Sequence, residues 1–391
     1  MKKIWPFLFY FLYFAAFASL MPFFVLFYQR LGFSGAQIGL LTGIPPLVIL
    51  VAAPFWTGLA DSKHWHKLVM GVGIVIAVLA IFLLPTFTTF IVVFACIILF
   101  NIFLSPISSL ADSATMNMLG EERALYGRIR LGGTIGWGLF APIAGAMAQN
   151  YGLKFAFWTF SAIMLINFFV SQRFVHRSHE ESRSNSGGLR LLLTNRRWIN
   201  FLFLAFLGGL GSFSVSTYLF PYMAELGAKE TMMGFALTIS TLTEMPVFFF
   251  GDRLVKRFTN YGLLILALVM VVVRSLLYAS VSTPAMVLLL QAFSGLIFPA
   301  MWVAGVSYAD ENAPADLKSS AQGLFNAMSF GVGSAVGGFI GGLLLESIGG
   351  RGMFLVVGVV VGVGVVLAEG IRRLFPEKKN LPRAVAIPSD K

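Results

Sequence analysis

RFVHRSHEESRSNSGGLRLLLTNRRW, residues 173 to 198, is the longest polar interruption in a chain otherwise dominated by Leu, Ile, Val and Phe. It is rich in Ser and Arg and contains a Gly pair, the composition of a solvated connector rather than of a packed element. Its position decides the fold, because counting outward gives the same number on either side. Apolar segments of spanning length lie near 4–28, 38–59, 68–88, 90–116, 128–149 and 153–172 before it, and near 198–223, 232–250, 261–280, 284–308, 322–345 and 352–374 after it. Each is close to the roughly 20 residues that cross a bilayer core. The pattern predicts an all-α membrane protein with 12 transmembrane helices in two pseudo-symmetric six-helix bundles. The bundles occupy 1–172 and 198–375, joined by a linker at 173–197 and followed by a polar tail at 376–391.

Composition agrees. Hydrophobic residues make up 58% of the chain and charged residues 12%, against roughly 25% charged in soluble domains. A net charge of +11 would suit nucleic acid only if the basic residues clustered on a soluble face; here they punctuate apolar runs, so no nucleic-acid partner is expected. Cys96 has no partner cysteine, which leaves neither a disulfide framework nor a Cys/His metal site. The first apolar run, MKKIWPFLFYFLYFAAFASLMPFFVLFYQ, is too long for a signal peptide and reads as the first membrane helix. Of the Lys and Arg residues, 23 fall on the side that carries both termini, 4 on the other, and Arg274 lies within a span. The positive-inside rule therefore predicts a multi-pass protein of the cell inner membrane with both termini cytoplasmic.

The halves repeat each other. SSLAD (108–112) leads after 40 residues to Gly152, and VSYAD (306–310) leads after 39 to Gly349, so Asp112 matches Asp310 and Gly145 matches Gly342. Tandem six-helix repeats place a solute site between halves that rock about it. In this organisation the chain resembles the major facilitator superfamily over its whole length. GLADSKHWHK (58–67) is similar to that family's loop signature between helices two and three, with a degenerate second copy in GDRLVKR (251–257). Gly58, Asp61 and Lys67, and in the second copy Gly251, Asp252 and Arg253, are the conformational loop positions. Gly58 is expected to permit close helix contact, Asp61 to cap or charge-pair across to the neighbouring helix, and the basic residues to stay with the headgroups.

Charges inside spans cost roughly 2.5–3.5 kcal/mol each on insertion scales and need a partner or water. Asp112, Arg130, Glu244 and Arg274 are such charges. A helical rise of about 1.5 Å per residue puts Glu244 roughly 10 Å and Arg274 roughly 20 Å from the side of the termini, close enough for the two to pair. Asp112 and Arg130 sit near neighbouring ends of adjacent helices and form a second expected pair. Arg130 and Trp137 are two turns apart on one helix face, so carboxylate, guanidinium and indole make a cradle for a polyhydroxylated ring. Gly132, Gly133 and Gly136 keep that helix slim.

YGRIRLGGTIGWGL (126–139) resembles the helix-five segment of the lactose permease branch and of related proton symporters for nucleosides and phenylpropionate. The resemblance implies substrate-binding roles for Asp112, Arg130, Trp137 and Glu244, and proton-coupling roles for Glu244, Asp112 and Arg274. Gln291 is added as a cavity liner. The ionisable residues that the branch carries on helix ten are replaced here by Gln291, Ser294 and Ile297, and all four histidines fall in predicted loops, so Glu244 is the foremost proton site. Burial and Arg274 press on its protonation in opposite senses.

Together these features predict a secondary active transporter that moves a sugar, nucleoside or aromatic acid with protons by alternating access. It would act as a monomer in the lipid bilayer, without cofactor or metal, and not as an enzyme. No nucleotide-phosphate loop supports a primary pump. The alternative is a proton-antiporting multidrug or metabolite exporter: GWGLFAPIAGA (136–146) spaces Gly138, Pro142 and Gly145 like the helix-five motif of drug exporters.

Overall fold

The computed structural model describes residues 3–175, 189–314 and 317–374; His176, His179, most of the linker, and the tail lie outside them. The described residues form helices and no strands. Among them eleven helical stretches are long and apolar enough to cross a membrane: α1 (Ile4–Arg30), α2 (Gly35–Lys63), α3 (His66–Thr86), α4 (Phe90–Glu122), α5 (Tyr126–Tyr151), α6 (Lys154–Ser171), α7 (Arg196–Glu225), α8 (Glu230–Phe249), α9 (Asn260–Ser280), α10 (Pro284–Asn312) and α11 (Lys318–Leu374). The last has 57 residues. As a straight helix it would be about 85 Å long, nearly three bilayer cores. Gly349 breaks it, with φ 70° and ψ 176°, so α11 supplies two crossings and the total is twelve. Gly152, its counterpart in the first half, ends α5 with φ 95°. A residue with a Cβ would be strained at both places, and the repeat therefore survives as a shared turn.

Local chemistry sets where the helices begin and bend. Ser34 opens α2 with a capping box: its hydroxyl accepts from the Gln37 amide, and the Gln37 side chain accepts from the Ser34 amide. Within α10, residues Gln291–Leu296 tighten to a 3₁₀ turn, and the early part of α11 widens to a π-helix at Ala327–Gly333. Such departures inside long helices often mark functional places; both lie beside the cavity described below. Before α7, part of the expected linker folds as a short helix, Leu189–Thr194, with Leu192 buried.

The two halves meet where α2 crosses α11 and α5 crosses α8. The approach is close enough to exclude side chains: a Cβ on Gly39 would stand 2.7 Å from the Phe339 carbonyl oxygen, and one on Gly342 2.6 Å from that of Gly35. Gly145 lies equally tight against the backbone of Glu230. Hydrogen bonds close the same region. The Gly35 amide donates to Glu346 (2.7 Å), Arg30 donates to Glu230 (2.9 Å), Thr42 and Tyr218 share a hydroxyl contact (2.9 Å), and Thr238 donates to the Gly138 carbonyl (2.8 Å). The first three lie toward the face remote from the termini, and the last lies near the middle of α5. Among the described residues α2 makes no hydrogen bond to the second half beyond Thr42, and α5 none before Gly138.

Gly58 departs from expectation. No atom outside its own stretch of helix lies within 4 Å of where its Cβ would be, so it makes no close helix contact. The reason is positional, because this end of α2 stands clear of the second half. Asp61 accepts from His66 at the start of α3 (2.6 Å), Gly251 lies near Val303 of α10, and Arg253 stacks on Phe250 at 5.1 Å. Lys67 lines an outer groove between α3 and α6.

Candidate functional site

A cavity of about 320 Å³ lies in the second half, walled by α7 to α11. Glu244 of α8, Arg274 of α9 and Gln291 of α10 all line it, together with Ser212, Ser240 and Ser294. Arg274 is 6% exposed and Gln291 2%. The Arg274 Nη1 donates to Ser294 Oγ (2.7 Å), Ser294 Oγ donates to Gln291 Oε1 (3.1 Å), and Gln291 Nε2 donates to the Tyr278 hydroxyl (3.0 Å). The Tyr278 ring lies 5.9 Å from the guanidinium carbon. Glu244 accepts from Ser240, one turn before it, at 2.9 Å.

No ion pair joins Glu244 to Arg274 among the described residues, contrary to the pairing expected from their depths along the helices. The reason lies in the α10 turn. Ser294 presents its hydroxyl to the guanidinium and is itself bonded to Gln291, three residues before it, while Ser240 holds the carboxyl on its own helix. Arg274 thus sits in apolar surroundings with neutral partners only, an arrangement that leaves much of its desolvation uncompensated. Its Nε, and the Ser212 hydroxyl across the cavity, are buried without any hydrogen-bond partner.

The first-half charges form a separate cluster. Tyr10 of α1 donates to Asp112 Oδ1 (2.5 Å), and Arg130 Nη1 lies 3.8 Å from the same oxygen. The guanidinium carbon stands 4.8 Å from the Tyr10 ring and 5.1 Å from that of Phe14. Asp112 and Arg130 keep 36% and 34% of their side-chain surface exposed. α1 takes up this pair because the glycine face of α5 packs against it: a Cβ on Gly132 would stand 2.7 Å from the Phe7 carbonyl oxygen. Trp137 is half-buried on the same helix. The cavity walls come wholly from the second half, so Asp112, Arg130 and Trp137 do not share its chamber. Of the predicted site residues, the structure brings Glu244, Arg274 and Gln291 together and sets the other three apart.

Tyr10, Phe14, Ser212 and Ser240 escaped sequence reasoning. Nothing distinguishes Tyr10 from the other 9 tyrosines in an aromatic-rich chain, and its partner lies 102 residues away. Ser240 carried a usable signal, standing one helical turn before the carboxylate it serves.

Comparison with known proteins bears on this arrangement. Residues 5–356 match the profile of the MFS_1 like family. A maltose permease of Geobacillus stearothermophilus is 28% identical over 370 residues, 94% of each chain. The multidrug resistance protein MdtG of Escherichia coli is 26% identical over 396 aligned positions, covering 94% of this chain and 93% of its own. Among solved structures, the nucleoside transporter NupG superposes with a TM-score of 0.81 at 20% identity, covering 96% of this chain and all of its own.

Proposed function

Because the chain belongs to the MFS_1 like family, a membrane transporter family, we propose that it is a proton-coupled symporter of a small organic solute. The solute would be a sugar, nucleoside or aromatic acid, moved by alternating access between the two halves. One observation carries the proton coupling: a carboxyl group and a guanidinium face one cavity, each hydrogen-bonded to a neutral group and with no ion pair between them. Such a carboxyl changes charge at far lower cost than one locked in an ion pair. In this reading Glu244 takes the proton, Arg274 and Gln291 meet the solute, and Asp112, Arg130 and Trp137 join the site when the halves tilt. The termini are cytoplasmic in the inner membrane, the repeats are the moving units, and the chain works as a monomer. Closure at the face remote from the termini then makes this an inward-facing state.

Reconstituted in vesicles with candidate solutes, the symporter should alkalinise the outer medium as solute enters. Solute entry with no proton movement would refute the coupling. A second reading, proton-antiporting export, is favoured by Pro142 and Gly145 on α5 at the crossing with α8, and by the similarity to a multidrug resistance protein. Under it, protons should enter as solute leaves.

A further inference from the structure

The polar groups of the second-half cavity are nearly all engaged with one another. Ser240 serves Glu244; Ser294 serves Arg274 and Gln291; Gln291 serves Tyr278; Ser216 and Ser334 donate to backbone carbonyls. Arg274 Nε and Ser212 Oγ remain buried and unpartnered. The rest of the lining is apolar and partly aromatic, with Phe213, Phe298, Phe330, Leu237 and Met301 among it. A sugar needs many hydrogen-bond partners and would leave most of its hydroxyls buried and unsatisfied here, at roughly 1–3 kcal/mol each. A carboxylate needs few, and a charge-assisted bond from a guanidinium is the strongest kind on offer.

Charge balance points the same way. Glu244 and Arg274 are the charged groups of the cavity, Tyr278 is the other titratable side chain against Arg274, and α7, α10 and α11 contribute no charge to the lining. The cavity is neutral in two states: Glu244 ionised with no bound anion, or Glu244 protonated with one anion on Arg274. The other two combinations bury a net charge, which is costly.

We propose that the solute is a compact organic monocarboxylate whose acid group binds Arg274, and that each anion is carried with one proton on Glu244. The proposal rests on the transporter reading and narrows its solute class. No bond is made or broken; one proton and one anion enter and leave together, so the transport step is electroneutral. The volume, at the low end for small-molecule sites, limits the solute to a small apolar body.

The test is ligand-dependent thermal stabilisation of the purified protein by benzoate, phenylacetate and cyclohexanecarboxylate, each beside its amide, with maltose and uridine as neutral solutes. The acids should stabilise and the amides should not. Acid affinity should fall about tenfold per pH unit once Glu244 deprotonates, since one proton is taken up with each anion. Glu244→Gln, neutral at every pH, should bind the acids with that pH dependence abolished. Arg274→Gln should lose acid binding, and its own melting temperature reports whether it folds. Equal stabilisation by acid and amide, preference for maltose or uridine, no response to any acid, or a pH-independent wild type would each overturn the proposal. In vesicles the two readings separate. If maltose crosses with protons and the acids do not, transport stands and the anion falls. If the acids bind but nothing crosses, the anion stands and transport falls.

Discussion

The two charged clusters contain the same chemistry, one carboxylate and one guanidinium, in opposite settings. In the first half Asp112 and Arg130 are 3.8 Å apart, about one-third exposed, and covered by the rings of Tyr10 and Phe14. In the second half Glu244 is part-buried and Arg274 buried, no ion pair joins them, and each is held by a serine hydroxyl. A pair one-third exposed keeps its charges in nearly any state, because water and the partner screen them. Enclosed and unpaired charges depend on what else enters the cavity. The contrast makes the first cluster a fixture and the second a switch, and it ranks the substitutions.

The largest effect belongs to Glu244→Gln. Uphill accumulation should vanish while exchange of solute across vesicles persists, since the side chain keeps its shape and loses its proton. Accumulation at wild-type levels would erase the distinction between the clusters.

Arg274→Leu against Arg130→Leu comes next. Removing an enclosed charge without a carboxylate partner should leave the protein as stable or raise stability by roughly 1–2 kcal/mol, while solute binding is lost. Removing Arg130 forfeits two ring contacts and a part-exposed ion pair, a loss of about 1 kcal/mol. Melting temperatures in detergent should therefore move in opposite directions, and movement in the same direction would mean that Arg274 is structural.

The architecture was legible because it is written in periodic, redundant signals. Apolar runs count the spans, and Gly152 and Gly349 mark one turn twice. α11 shows the limit of counting by helix continuity, since a single glycine separates its two crossings. The site was legible only along single helices. Depth arithmetic put Glu244 and Arg274 at levels from which both line one cavity, but it could not say which neutral side chains would reach them first. Ser294 reaches Arg274, with Gln291 behind it, where the chain tightens to a 3₁₀ turn packed against α8 and Thr243 donates to the Gln291 carbonyl at 3.3 Å. The cover that α1 puts over Arg130 depends likewise on contacts between residues about 120 positions apart.

Asp112→Asn should have a smaller effect than either change in the cavity. The amide keeps a partner for the Tyr10 hydroxyl and loses the charge facing Arg130, at about 0.5–1 kcal/mol for a pair this exposed. Proton-driven accumulation should survive, with any change confined to the solute concentration giving half-maximal uptake. Loss of accumulation would move the switch to the first half.

Tyr10→Phe should be the mildest. It removes one hydroxyl, which donates to Asp112 at 2.5 Å and shares a contact with Thr115 at 3.3 Å. The ring beneath Arg130 remains, so the cation keeps its apolar plate. The loss should be near 1 kcal/mol, the usual net worth of a hydrogen bond, seen as a small drop in melting temperature with transport retained. The double variant with Asp112→Asn then measures whether the hydroxyl acts through that carboxylate: if it does, the second change adds less than its own single effect. Full additivity would mean that Tyr10 steadies α1 against α4 through Thr115, and that Asp112 is held in place by its other partners, Arg130 and Tyr126.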